Sequence, residues 1–383
     1  MSELVTQKSV TFVNYSTPAE ITTKELDLAT CYKENEIVIK VEAAALNPFD
    51  LLVHGLYPKR LFSQKPKTYG EDFAGTIVKR GAKVDATKWA VGKKVNGMFY
   101  HLYGDRGSLS NYLILDPVAS GSILPFDGEV PQSLLEQGQE KHYNEFEISA
   151  AWPLVFGTAY SSLFRQGQCL GPDSKVLVIG ASTSVSNCFI QIAKNHLHIG
   201  TVVGICSTKS IEFNKSQGFD YLVPYDSVKD GSEGSTVVEQ VKQLIAGELK
   251  GEKFDLIFDS VGNSDFKPVI DEVLKPMSAN SQYVTIAGDA KMSYSHPSFA
   301  AFIPSRYKVM NMTPWKRFNY VSLMLRPTSD WMELGAKMLR EGQFKPLIDS
   351  TYSFDDFQRA IDRLMSNRCR GKVVIDIDPD ESK

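Results

Sequence analysis

The sequence predicts an α/β fold of two domains, a β-rich one followed by a doubly wound parallel sheet. Three observations point to it. The chain has 383 residues, more than one ordinary core holds. Its first third consists of short apolar or alternating runs broken by glycine, proline and turn residues, the pattern of strands and loops. From Ser174 onward, apolar strands alternate with stretches of helical spacing, which requires a parallel sheet covered on both faces.

In chain order, Val10–Val13, Glu36–Val41, Phe73–Val78 and Leu109–Leu115 read as strands of the first domain. Lys175–Ile179, Thr201–Ile205 and Phe254–Phe258 are the apolar strands of the second, and Tyr283–Ile286 is its expected last strand. From Asp289 to about Arg326 the pattern breaks into aromatic, methionine and basic residues without period. Trp331–Arg340 and Asp355–Met365 then read as helices, the second with Phe357, Ile361 and Leu364 on one face, and Val373–Ile377 closes as a strand. The polar stretches Phe126–Glu147 and Asp226–Gly234 read as surface insertions.

Composition narrows the function classes. With 43% hydrophobic and 23% charged residues and a formal net charge of -3, the chain is globular and carries no nucleic-acid footprint. Its five cysteines, Cys31, Cys169, Cys188, Cys206 and Cys369, contain no Cys-x-x-Cys pair, so free thiols are expected rather than a disulfide framework or zinc knuckle. Met1–Val10 shows no targeting pattern, and the apolar runs are strand-sized, so no transmembrane segment is expected and any lipid contact is peripheral.

The segment with the clearest chemistry is Val176-Leu-Val-Ile-Gly-Ala-Ser-Thr-Ser-Val-Ser186, a strand, a glycine-bearing turn and a helix start. This order suits a pyrophosphate, because the first amides of a helix are unpaired and its dipole end is positive. Gly180, Ser182, Thr183, Ser184 and Val185 are the candidate contacts, with small hydroxyls available as donors. A purely structural βα turn is the alternative.

Further segments carry a family resemblance. Ala45-Leu-Asn-Pro-Phe-Asp50, His54-Gly-Leu-Tyr-Pro58, Tyr69-Gly-Glu-Asp-Phe-Ala-Gly75, Trp152-Pro-Leu-Val-Phe-Gly-Thr-Ala-Tyr160, Phe254-Asp-Leu-Ile-Phe-Asp-Ser-Val-Gly262 and Arg370-Gly-Lys-Val-Val374 occur in order over most of the chain. Together they resemble the zinc-free quinone oxidoreductases of the medium-chain dehydrogenase/reductase superfamily. In that family the phosphate turn usually reads Gly-Ala-Ser-Gly-Gly-Val-Gly, whereas Thr183, Ser184 and Ser186 stand at three of the glycine positions here. Leu177–Ser186 and Ala360–Arg368 are most similar to a fungal Yim-type branch. The resemblance implies a GroES-like substrate domain over residues 1–153, completed by 329–383, and a Rossmann dinucleotide-binding domain over 154–328. For the branch it implies association with lipid droplets and mitochondria.

Within that resemblance a catalytic zinc is not expected. Asn47 stands where a zinc-binding relative has its first cysteine, Glu71 falls near the histidine position, and Phe156-Gly157 lacks the second cysteine. Cofactor choice is set at the end of the second nucleotide strand, Gly204-Ile-Cys-Ser-Thr-Lys209, where no carboxylate appears and Ser207 and Lys209 are available, so NADPH is favoured over NADH. Tyr225 matches a tyrosine near the adenosine end, and Thr158, Val261, Gly262 and Ala287 match walls of the nicotinamide site.

The expected reaction is hydride transfer to a quinone or another unsaturated carbonyl, with Asn47 and Tyr57 as candidate donors to the developing oxygen charge. Each has a structural alternative: Asn47 as the cap of a helix beginning at Pro48, Tyr57 as a ring packed in a turn. The rival reading of the whole chain, prompted by the three replaced glycines, is a catalytically weak or inactive reductase fold that serves as a binding or scaffold protein at lipid droplets. In the 292–326 stretch, Phe299, Phe302, Tyr307, Trp315, Lys316, Arg317, Phe318 and Tyr320 suit a substrate lid, a lipid contact or inter-domain packing. The oligomeric state stays open between monomer and homodimer.

Overall fold

A computed structural model describes residues 2–59, 65–99, 104–126, 130–136, 142–227, 236–291 and 306–377. The chain divides into two compact units, one of Met1–Gly157 and Arg326–Lys383, the other running from Thr158 to Leu325.

The first unit holds β1 (Leu4–Phe12), β2 (Glu20–Asp27), β3 (Ile37–Leu46), β4 (Lys67–Thr68), β5 (Asp72–Arg80), β6 (Lys94–Met98), β7 (Tyr112–Leu115) and β8 (Ile123–Pro125). The second holds β9 (Lys175–Ile179), β10 (Thr201–Cys206), β11 (Tyr221–Pro224), β12 (Leu256–Asp259), β13 (Gln282–Thr285) and β14 (Asn319–Ser322). The chain then returns to the first unit with β15 (Ile348–Ser353) and β16 (Lys372–Asp376).

In the first unit, β2-β1-β4 make a small sheet, and β15-β16-β3-β5-β6-β8 make a larger one to which β7 is added through β3. The alternation in β3 and β5 places Ile37, Ile39, Val41, Phe73 and Ile77 in one core, with Val373 and Ile375 of β16 packed into it. The C-terminal strand is thus an integral part of the first unit. The helix Phe357–Met365 covers this core with Phe357, Ile361 and Leu364, the face its spacing predicts.

The second unit is one parallel sheet of order β11-β10-β9-β12-β13-β14. Its strands are apolar on both faces because helices cover both, so Val176, Leu177, Val178, Ile257 and Phe258 are all buried. Chain order leaves β9 toward β10 on one side and toward β12 on the other, which puts the topological switch at the C-terminal end of β9.

Several strands, among them β2, β6, β11, β14 and β15, are not read from the sequence, and β14 changes the edge of the second sheet. β14 lies inside the stretch without period and pairs with β13 from Gln282↔Asn319 to Thr285↔Ser322, so the sheet ends on β14 and not on Tyr283–Ile286. The outer edge of β14 is itself occupied at Tyr320: the Asn311 amide donates to the Tyr320 carbonyl at 2.9 Å and accepts from its N–H at 3.2 Å. A side chain thereby takes the place of a further strand at that point. Phe299 and Phe302 lie outside the described residues.

Candidate functional site

In the second unit, β9 runs into a turn at Gly180 and then into the helix Ser184–Asn195, which Thr183 caps by accepting the Ser186 N–H at 3.2 Å. Gly180 has φ +86°, and a Cβ there would lie 2.5 Å from Val261 Cγ1 and 2.6 Å from Ser260 Oγ. Only glycine fits that approach between the ends of β9 and β12.

Two of the three residues at the replaced glycine positions, Thr183 and Ser186, form a hydroxyl cluster with Ser260. Thr183 and Ser186 lie 2.9 Å apart, and each reaches Ser260, at 3.1 and 3.2 Å. Ser260 in turn donates to the Ile179 carbonyl at 2.9 Å. These hydroxyls therefore bind one another across the two strand ends. Ser182 is held separately, accepting the Asn214 amide at 2.8 Å.

Two helix amides are left over. Asn187 N–H bonds to the Thr183 carbonyl and Ser186 N–H to the Thr183 hydroxyl, whereas Ser184 and Val185 N–H have no acceptor among the described residues. Half-buried and at the positive end of a twelve-residue helix, these two amides can accept an anion.

The end of β12 is organised by Asp259, which the sequence reading missed. Its buried carboxylate accepts Val261 N–H at 3.1 Å, Gly262 N–H at 2.9 Å, Asn263 N–H at 2.8 Å and the Tyr283 hydroxyl at 3.0 Å. Burial nonetheless pushes its pKa upward, against the pull of those donors. Val261 and Gly262 thus offer side-chain surface and backbone shape, with their amides already occupied. Ala287 follows β13, donating its N–H to Thr285 Oγ1 at 3.3 Å. Thr158 is buried, and its carbonyl accepts the Ser162 hydroxyl at 2.8 Å.

Beyond β10, Ser207 Oγ lies 3.1 Å from Ser210 Oγ, Lys209 is exposed, and Tyr225 is 58% exposed with its N–H on the Cys206 carbonyl. Gly204–Lys209 itself holds no carboxylate, but one reaches this loop from the end of the neighbouring strand. Asp226, just after β11, accepts both the N–H and the hydroxyl of Thr208 at 2.7 Å. It escaped notice because it is 17 residues beyond Lys209 in sequence; the parallel pairing of β10 with β11 closes that separation.

In the first unit, Asn47 caps the helix Pro48–Leu56, with Pro48 at its first position and the Asn47 N–H donating to Asp50 Oδ2 at 2.7 Å. Its side chain is fully buried and committed: Nδ2 donates to Asp72 Oδ2 at 2.9 Å, and Oδ1 accepts Lys372 Nζ at 2.5 Å. Lys372 also meets Asp72 Oδ2 at 2.9 Å, and Asp72 Oδ1 accepts Leu154 N–H at 2.9 Å. The geometry places Asn47 as a cap and a bridge, in conflict with its expected role as a donor to substrate, because its amide already faces the Asp72 carboxylate. Tyr57 is the residue after this helix; it is half-buried, its ring edge-on to Phe12 at 5.5 Å, and its hydroxyl has no partner among the described residues.

Around this bridge the charges are unusual. Burial raises Asp50 to about 7. It also raises Glu71 well above the carboxylate range, an effect the neighbouring Asp50 and Asp72 reinforce. Burial lowers Lys67 to about 8 despite the nearby Glu71 carboxyl. The donor set is carboxyl oxygen, amide and ammonium, which suits internal compensation and not a zinc ion, whose usual ligands are thiolate and imidazole. Among the described residues no group of three or more His, Cys, Asp or Glu is arranged to hold a metal ion.

Comparison with known proteins agrees with this architecture. The alcohol dehydrogenase GroES-like domain family matches residues 33–118 and the zinc-binding dehydrogenase family matches residues 218–375. Protein YIM1 of Saccharomyces cerevisiae is 51% identical over 373 residues, 97% of this chain and 98% of its own. The chain belongs to the medium-chain dehydrogenase/reductase superfamily. Its fold is that of a GroES-like domain joined to a Rossmann-like parallel sheet. Among solved members of this superfamily fold, a quinone oxidoreductase from Coxiella burnetii superposes with TM-score 0.69 at 20% identity, covering 98% of this chain and 100% of that one. A human synaptic vesicle membrane protein VAT-1 homolog-like protein gives 0.67 at 17% identity, covering 98% and 99%. An NAD-dependent alcohol dehydrogenase gives 0.71 at 18% identity, covering 97% and 100%. No helix among the described residues is long and apolar enough to cross a membrane.

Proposed function

We propose that this medium-chain reductase is an NADPH-dependent, zinc-independent oxidoreductase acting on a quinone or another unsaturated carbonyl compound. The observation that carries the proposal is the pair of uncommitted amides at Ser184 and Val185, beside a glycine-only approach at Gly180, with the intervening hydroxyls turned onto Ser260. The amides and the helix dipole would hold the pyrophosphate. Lys209 and Ser207 would receive the added ribose phosphate, and the exposed Tyr225 ring would lie near the adenosine. Thr158, Val261, Gly262 and Ala287 would bound the nicotinamide. When bound, the nicotinamide supplies a hydride to the acceptor.

On the substrate side, Tyr57 is favoured as the hydrogen-bond donor to the acceptor's carbonyl oxygen, where negative charge grows as hydride arrives. Asn47 supports it indirectly: its cap fixes the start of the helix that Tyr57 terminates.

Calorimetric titration with NADPH and with NADH, followed by loss of nicotinamide absorbance with a panel of quinones and enones in the presence of a chelator, tests this reading. Binding of NADPH with turnover that survives the chelator supports it. No dinucleotide binding at millimolar supply supports the rival scaffold reading, which the side chains of Thr183, Ser184 and Ser186 at the three glycine positions favour.

A peripheral lipid contact, with residence at lipid droplets and mitochondria, is part of the same proposal. It is supported by the exposed Val309, Met312, Trp315 and Met324 near the basic Lys316 and Arg317. Co-flotation of the protein with lipid droplets, and its loss on Trp315→Ser, tests that contact.

A further inference from the structure

The second unit contains a cavity that the dinucleotide reading does not use. It measures about 410 Å³, the size of an ordinary small-molecule site, and lies where the helix Arg306–Asn311 passes over the end of the sheet. Its walls are the rings of Tyr307, Phe318 and Tyr320, with Lys267, Arg306 and Lys316 supplying charge.

The floor is rigid. Lys267 has a fully buried ammonium that contacts Asp289 at 2.5 Å and sits 5.3, 5.3 and 5.4 Å from the ring centres of Tyr283, Tyr307 and Tyr320. The Tyr320 hydroxyl donates to the same Asp289 oxygen at 2.6 Å, so the aromatic wall is tied to the ion pair.

The rim has a surplus of positive charge. Of the four cations lining the cavity, Lys267 is matched by Asp289 and Arg317 by Asp271. Arg306 donates to the Tyr307 phenol and feels the Asp289 carboxylate that Lys267 already pairs, and Lys316 donates to the amide oxygen of Asn319; no ion pair within contact distance is formed by either among the described residues. An apolar, aromatic hollow lined by four cations that share two carboxylates, Asp289 and Asp271, selects a molecule with an apolar body and an anionic head.

We infer that this cavity binds an amphipathic carboxylate, with its chain or ring against Tyr307, Phe318 and Tyr320 and its head on Arg306 and Lys316. The site is independent of the turn at Gly180 and of any reductase activity.

The test is calorimetric titration of the full-length protein with sodium decanoate, with and without NADPH, alongside decanol and inorganic phosphate. One-to-one decanoate binding is expected, unaffected by NADPH, with both controls at least about tenfold weaker. The double variant R306Q/K316Q, which alters two exposed side chains, should weaken decanoate by about tenfold or more and leave the melting temperature unchanged. Three results would each overturn the inference: no saturable decanoate binding at millimolar supply, equal binding of decanol or of phosphate, or binding insensitive to R306Q/K316Q. Binding of anionic vesicles with no binding of monomeric decanoate also overturns it, in favour of a membrane-facing surface. Failure of NADPH to bind while decanoate still does removes the reductase reading and leaves this site standing.

Discussion

Lys372 Nζ lies 2.9 Å from Asp72 Oδ2, and the two residues stand 300 positions apart with both side chains buried. This pair ties β16 to the start of β5 and, through Asn47, to the helix that follows β3. An ammonium so placed is held by its partners; without them it would be an uncompensated buried charge.

Removing the carboxylate alone should therefore be severe. Asp72→Ala is expected to cost about 3–5 kcal/mol, because Lys372 would remain buried without its counter-charge. Replacing both in D72L/K372M should recover much of that loss. Urea denaturation of the two variants measures it, and a double variant as unstable as the single one would contradict the account.

Asp50 imposes a pH dependence with a definite sign. Its pKa is about 7 in the folded chain against an ordinary value of 3.8, so the native state holds the proton more tightly. Stability from this group is complete below the ordinary value and is lost as pH rises through about 7. Asp50→Asn, which keeps an oxygen for the Asn47 N–H, should flatten that component. The stability of the parent relative to D50N should fall between pH 4 and 7, and a difference that stays level or rises would refute the shift.

At the turn, two substitutions should behave differently. Gly180→Ala meets Val261 and Ser260 at contact distances no Cβ tolerates and does so at positive φ, so it should abolish dinucleotide binding and lower stability by about 1–3 kcal/mol. Thr183→Ala should cost about 1 kcal/mol through loss of the cap, yet change NADPH affinity little, because its hydroxyl faces Ser186 and Ser260. A large loss of NADPH affinity in T183A would show that the hydroxyl serves the phosphate instead.

Asp226 should act against the added phosphate of NADPH. Asp226→Asn is expected to raise the NADPH-to-NADH affinity ratio, and Lys209→Gln to lower it, each by about tenfold. Paired titrations decide both, and an unchanged ratio in D226N would remove Asp226 from the cofactor site.

Tyr57→Phe tests the proposed donor. Loss of a single hydrogen bond to developing oxygen charge should lower kcat by about 10²-fold or somewhat more with little change in KM. An unaltered kcat would leave the substrate oxygen to another group.

Much of this protein is determined by its sequence alone. The strands read at Lys175–Ile179 and Phe254–Phe258, found at Lys175–Ile179 and Leu256–Asp259, are legible because a strand buried on both faces is mostly apolar. The helix Phe357–Met365 was legible because one face must meet the core every third or fourth residue. The turn at Gly180 was legible because its conformation excludes a side chain. These are local constraints, and local residue choice records them.

Only the tertiary structure decided what the polar groups do. Asn47 looked equally suited to a substrate and to a cap until Asp72 and Lys372 were seen to occupy its amide. Asp226 joined Thr208 only when parallel strands brought them together, and β14 became a strand because β13 presented an edge to pair with. Hydrogen-bond and charge partners are selected by proximity after folding, and a sequence carries no periodic signal for an encounter between distant residues.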